Sequence, residues 1–146
     1  MTAPVVVFAI GNPSRGDDAI GPVLAERLEA AAMPGMEVIV DFQLQIEHAL
    51  DLQARRLAVF VDAAASGATP FALQRVAPCR DRSHTSHALS PAAVLETYER
   101  CTGQPAPPAW VLAVRGEQFE LGAALSPVAC RNIEAAWPQL LALGRA

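Results

Sequence analysis

A chain of 146 residues with 52% hydrophobic and 18% charged residues is long enough to bury its own core and too apolar to stay disordered. Its net charge is -4, and all eleven basic residues are arginines, so a Walker phosphate loop and a Schiff-base nucleophile, both of which need lysine, are excluded. With 5% aromatic residues and no basic stripe, nucleic-acid binding is not expected, and no apolar run approaches the roughly 20 residues of a membrane span.

The start Met1-Thr-Ala-Pro4 has neither the basic region nor the cleavage site of a secretory signal, and Cys79, Cys101 and Cys130 form no CxxC pair. A cytoplasmic, monomeric protein formed of a single domain over residues 1–146 is expected, with the cysteines as buried bystanders.

Taken in order, Val5–Ile10 reads as a strand, and Asp18 to Met33 as a helix ending at Pro34-Gly35. Met36–Val40 is a second strand that delivers Asp41, followed by a short amphipathic helix over Gln45–Gln53. Leu57–Val61 lacks polar alternation, which places it at the sheet centre, and it ends in Asp62. After the turn-rich Ala64–Pro70 comes Phe71–Val76, a strand whose Gln74 and Arg75 suit an edge. Arg80–Ser86 is polar loop. Ser90-Pro91 and Ser126-Pro127 are two helix starts, serine at the N-cap and proline at the first turn, for helices to Cys101 and Leu143. Between them lies a last strand, Ala109–Val114. The order β-α-β-α-β-β-α-β-α predicts an α/β fold: a three-layer αβα sandwich around a twisted, mainly parallel sheet of about five strands, with room for a mixed edge.

In such a sheet, ligands bind beyond the carboxyl ends of the strands. Asp17 and Asp18, Asp41 and Asp62 all fall at that rim, and His87 follows on a loop that can close over it. Two carboxylates and an imidazole suit a borderline divalent ion such as Ni²⁺ or Zn²⁺ with open positions left. Each has a plainer reading as well. Asp17 reads as a helix cap, Asp18 serves a helix dipole equally well, and Asp62 fits turn chemistry. His48 reads as a surface or packing residue, and spacing does not choose between His84 and His87. The glycines of Gly11–Gly21 would also suit an anion, but two adjacent aspartates without a lysine repel phosphate.

Four stretches stand out together: Gly11-Asn-Pro-Ser-Arg-Gly-Asp-Asp-Ala-Ile-Gly21, Val61-Asp-Ala63, Ser86-His-Ala-Leu89 and Phe119-Glu-Leu-Gly-Ala-Ala-Leu-Ser-Pro127. On these, and over nearly its whole length, the sequence resembles the hydrogenase maturation endopeptidases, which trim the C-terminus of the [NiFe]-hydrogenase large subunit. The resemblance implies a site in which Asp18, Asp62 and His87 touch nickel, with Asp41 a candidate helper in catalysis. Aspartate at 18 stands where the family often has glutamate. Asp41-Phe-Gln-Leu44 replaces the family's common Asp-Gly-Gly-Thr, keeping the acid and losing the glycines. The nickel is implied to arrive with the large-subunit precursor, none being tightly bound by the resting enzyme. Two other classes compete: a receiver-type module, which the absent lysine disfavours, and a non-catalytic nickel chaperone or carrier with the same ligands.

Overall fold

The computed structural model describes residues 2–80 and 88–145. Its five strands are β1 (Val5–Ile10), β2 (Met36–Asp41), β3 (Leu57–Ala64), β4 (Phe71–Val76) and β5 (Ala109–Arg115). They form one sheet in the order β2-β1-β3-β5-β4, parallel except for β4, which runs antiparallel to β5 at the edge. β3 is the central strand, as its unbroken apolar run requires, and β4 carries its Gln74 and Arg75 on the mixed edge.

Three α-helices complete the layers: α1 (Ile20–Ala31), α2 (Pro91–Thr102) and α3 (Pro127–Arg145). All six residues of β1 are buried, because successive side chains feed opposite cores. Val5 and Val7 pack with Leu24 and Leu28 of α1 and with Ile133 and Leu140 of α3. Val6 and Phe8 pack with Leu52, Phe60 and the α2 residues Val94, Leu95 and Tyr98. The sheet therefore has a helical layer on each face, which is the three-layer sandwich expected. Among the described residues no helix is long and apolar enough to cross a membrane.

Four details depart from the sequence reading. The first helix starts as a 3-10 turn, Gly16–Ala19, before α1, not as α-helix from Asp18. Pro22 favours this start: a helix begun at Asp18 would lack the N–H that bonds the Asp18 carbonyl, whereas in the first turn of α1 that missing donor costs nothing. The same helix stops at Ala31, with Ala32 left-handed at φ 49°, ahead of Pro34-Gly35. The segment after β2 is a 3-10 helix, Ile46–Leu52, capped by Gln45 and His48 in a reciprocal box. Finally, all three cysteines are exposed rather than buried.

Phe8 stacks on Phe60 at 5.0 Å between ring centroids and meets the His48 ring edge-on at 5.8 Å. Phe8→Ala is expected to cost about 3–5 kcal/mol of stability, read from the urea midpoint.

Candidate active site

The site begins where β1 runs out. Asn12 folds its side chain over the turn, its Oδ1 accepting from the Ser14 N–H at 2.9 Å. Its own N–H donates to Asp18 Oδ2 at 2.7 Å, which fixes that carboxylate, half-buried, at the end of the strand.

Asp62 is not at a strand end. β3 runs three residues further than its apolar stretch, through Asp62 to Ala64, because β5 continues to pair with it there. On the other side the β1 ladder stops at Val61. One flank of Asp62 is thus open where β1 turns away toward Asp18. A polar residue at this point reads as a strand stop only when the longer neighbour is out of view.

Asp18 and Asp62 line a common crevice of about 330 Å³ with Ile10, Phe42, Leu44 and Leu89. Asp62 is exposed to water at the mouth of the crevice, with protein packed around the base of its carboxyl. That burial pushes its carboxyl up to about 6, the Ala63 N–H pulls the other way, and the Asp18 carboxylate adds to the rise. One oxygen of each carboxylate is held by a backbone N–H, Asn12 on Asp18 and Ala63 on Asp62, the latter at 2.8 Å. Among the described residues the second oxygen of each has no hydrogen-bond partner. Two mutually repelling carboxylates with a spare oxygen each, in a largely apolar crevice, are a donor set that fits a divalent cation.

Asp41 takes a different place. Its Oδ1 accepts from the Phe42 N–H at 2.7 Å, and its Oδ2 lies 3.3 Å from Nε2 of His48. It is absent from the residues lining the Asp18–Asp62 crevice. His48 is a packing residue, 4% exposed, with Nδ1 accepting from the Gln45 N–H at 2.8 Å. That bond leaves the proton on Nε2, directed at Asp41. His84 and His87 lie outside the described residues, and among those described no cluster of three or more metal-binding side chains occurs.

Asp17 does not cap its own helix. It is wholly shielded from solvent, and its carboxylate accepts from Glu117 N, Gln118 N, Ser126 N and Ser126 Oγ, at 2.6 to 3.0 Å. A thin loop rather than the core covers it. Burial is the largest influence on the carboxyl and opposes ionisation, but the donors from Glu117, Ser126 and Gln118 together hold it below the usual range. Sequence reading missed this clamp because its partners lie about a hundred residues away; the Ser126-Pro127 helix start was the available signal.

The protein is thus of the α/β class, with a mainly parallel sheet whose carboxyl rim brings two carboxylates to one apolar crevice, the edge where open α/β sheets bind ligands. No protein-family model matches the sequence, and no curated protein does. Solved structures do. The chain superposes on the hydrogenase maturating endopeptidase HybD from E. coli with a TM-score of 0.76 and 25% identity, covering 97% of this chain and 91% of that one. An endopeptidase from Escherichia coli, known from a solution structure, matches at 0.73 and 26% identity over 97% and 91%. The [NiFe] hydrogenase maturation protease HycI from Thermococcus kodakarensis KOD1 shares the fold at 0.71 and 22% identity over 99% and 94%. In fold, and at 25–26% identity in sequence, the chain is thus similar to hydrogenase maturation endopeptidases of known structure.

Proposed function

We propose that this protein is a processing endopeptidase that recognises nickel already inserted in a [NiFe]-hydrogenase large-subunit precursor and removes the precursor's C-terminal extension. The observation that carries the reading is the Asp18–Asp62 pair, each with one oxygen fixed by a backbone N–H and one left for a ligand. In this reading His87 supplies the third ligand, and the metal comes with the substrate in the cytoplasm.

The peptide bond is then hydrolysed by water. Water adds to the scissile carbonyl, polarised by the nickel of the substrate, as a carboxylate takes its proton; that proton passes to the leaving nitrogen as the carbon–nitrogen bond breaks, giving a carboxylic acid, which ionises, and an amine. Metal loading thereby becomes the condition for cleavage. An enzyme that waits for the metal does not shorten an empty precursor.

Asp41 is the candidate proton acceptor, but its carboxylate is already engaged by the Phe42 N–H and His48. Asp41→Asn is expected to lower kcat less than about tenfold, short of the 10²–10⁴ of a general base. A loss in that larger range in steady-state assays would give it the base's role.

The deciding experiment incubates the purified protein with nickel-loaded and nickel-free precursor and follows the extension by mass spectrometry. Cleavage of the loaded form alone is expected. Equal cleavage of both would overturn nickel recognition. Tight nickel binding by the isolated protein without cleavage of either would favour a metal carrier.

A further inference from the structure

We propose that Asp17 is a positioning residue: it braces the turn that carries Asp18 against the segment between β5 and α3, so that Asp18 stands beside Asp62. The inference rests on the reading of the Asp18–Asp62 crevice as the active site, and it assigns a task to the Phe119–Pro127 motif that the crevice leaves unused.

The turn has little to hold it in place by itself. The 3-10 turn Gly16–Ala19 has no side-chain cap, and neither does α1. What replaces the caps is a second segment. Asp17 N–H donates to the Gln118 carbonyl at 2.6 Å, and Gly122 N–H donates to the Ser14 carbonyl at 2.7 Å. Together with the four donors on the Asp17 carboxylate, these bonds knit residues 14–17 to residues 117–126. The approach is so close that side chains are excluded on both sides. Gly16 is left-handed at φ +54°, and a Cβ there would fall on the Gln118 carbonyl; a Cβ at Gly116 would strike that of Asp17.

The far side of the brace is itself fixed. Ser126 Oγ, while donating to Asp17, accepts from the Ala129 N–H at 3.1 Å and so caps α3. Asn132 of α3 donates from Nδ2 to the Arg115 carbonyl at 2.8 Å, pinning the other end of the segment. Asp17 therefore ties the Asp18 turn to a 19-residue helix rather than to a free loop. Because Asp17 and Asp18 share a peptide plane, a shift of one carries the other. Among the described residues the Asp18 carboxylate accepts one hydrogen bond, from the Asn12 N–H. An error of 1 Å in such a group can cost about 10²-fold in rate.

The test compares Asp17→Asn and Ser126→Ala with Leu143→Ala, a core control at the far end of the sheet beside the Gly144–Met36 contact, all under conditions where urea curves show them folded. Two readouts are taken: kcat and KM on nickel-loaded precursor, and the NMR position of the Asn12 amide, which reports the Asn12–Asp18 bond without any turnover. Expected are a fall in kcat of about 100-fold for Asp17→Asn and about tenfold for Ser126→Ala, KM within twofold, and a displaced Asn12 amide in both. Leu143→Ala should leave all three unchanged. An Asn12 amide that stays put in both clamp variants would overturn the proposal, as would a displaced amide with unchanged kcat. If Asp17→Asn does not fold, Ser126→Ala decides alone, since it removes one donor and leaves three. Should the wild type cleave no precursor, the protease reading fails, while the amide still decides whether Asp17 places Asp18.

Discussion

Asp62→Asn is expected to cut cleavage of nickel-loaded precursor by about 10²–10⁴-fold while making the folded protein more stable at pH 7. The loss follows from removing one of the two anionic groups that face the crevice; an amide oxygen keeps the shape and loses the charge. The gain has the opposite origin. Folding raises the Asp62 pKa from 3.8 to about 6, so its ionised form is disfavoured in the native state. The sign is that of a raised acid: its contribution to stability is complete below about 3.8 and is lost as pH rises through about 6. Because Asp62 is open to water on one side, screening limits the difference to about 1 kcal/mol. Urea midpoints should favour Asp62→Asn at pH 7 and converge with wild type near pH 4. Wild-type cleavage should fall as pH drops through about 6, with the limb moving to lower pH as nickel competes with the proton. A variant as active as wild type would remove Asp62 from the site.

The fold was legible where pattern is local. The runs Val5–Ile10 and Leu57–Val61 declare buried strands, and Ser90-Pro91 declares a helix start that the structure confirms, with Ser90 Oγ accepting from the Ala93 N–H at 3.1 Å. The mixed edge was legible too, because Gln74 and Arg75 do not belong on an interior strand. Where the reading went astray, distant partners overrode local chemistry. Asp62 resembles a strand stop, yet β5 carries β3 past it. Asp17 resembles an N-cap, yet its donors come from residues 117 to 126. Asp41 does stand on the rim, at the end of β2 as its sequence position implies, although its carboxylate meets Phe42 and His48 and does not line the crevice. Pro22 could have been read more closely, since its missing N–H disfavours an α-helix from Asp18. The candidate site was thus half visible. Two acids at the right rim could be named from sequence, whereas what holds and charges them depends on contacts between loops far apart in the chain.

Those contacts give the second large effect, on stability rather than chemistry. Asp17→Ala is expected to lower unfolding free energy by about 3–5 kcal/mol at pH 7, because it leaves the Glu117, Gln118 and Ser126 N–H groups and the Ser126 hydroxyl without their shared acceptor. Hydrogen bonds to a charged group are worth more than neutral ones, about 1.5–3 kcal/mol each, and relaxation of the covering loop toward water limits the total. The pH dependence should run opposite to that of Asp62. With the Asp17 carboxyl held below its ordinary value of 3.8, its contribution is present above that value and is lost as pH falls through the lower native one. Wild type and Asp17→Ala should therefore differ most at neutral pH and draw together in strong acid. Urea titrations at pH 7 and pH 3 measure the difference directly. A midpoint for Asp17→Ala equal to wild type at pH 7 would mean that water replaces the carboxylate clamp at no cost, the segment before α3 being held by its backbone bonds to Ser14, residue 17 and Ala64 and by Asn132.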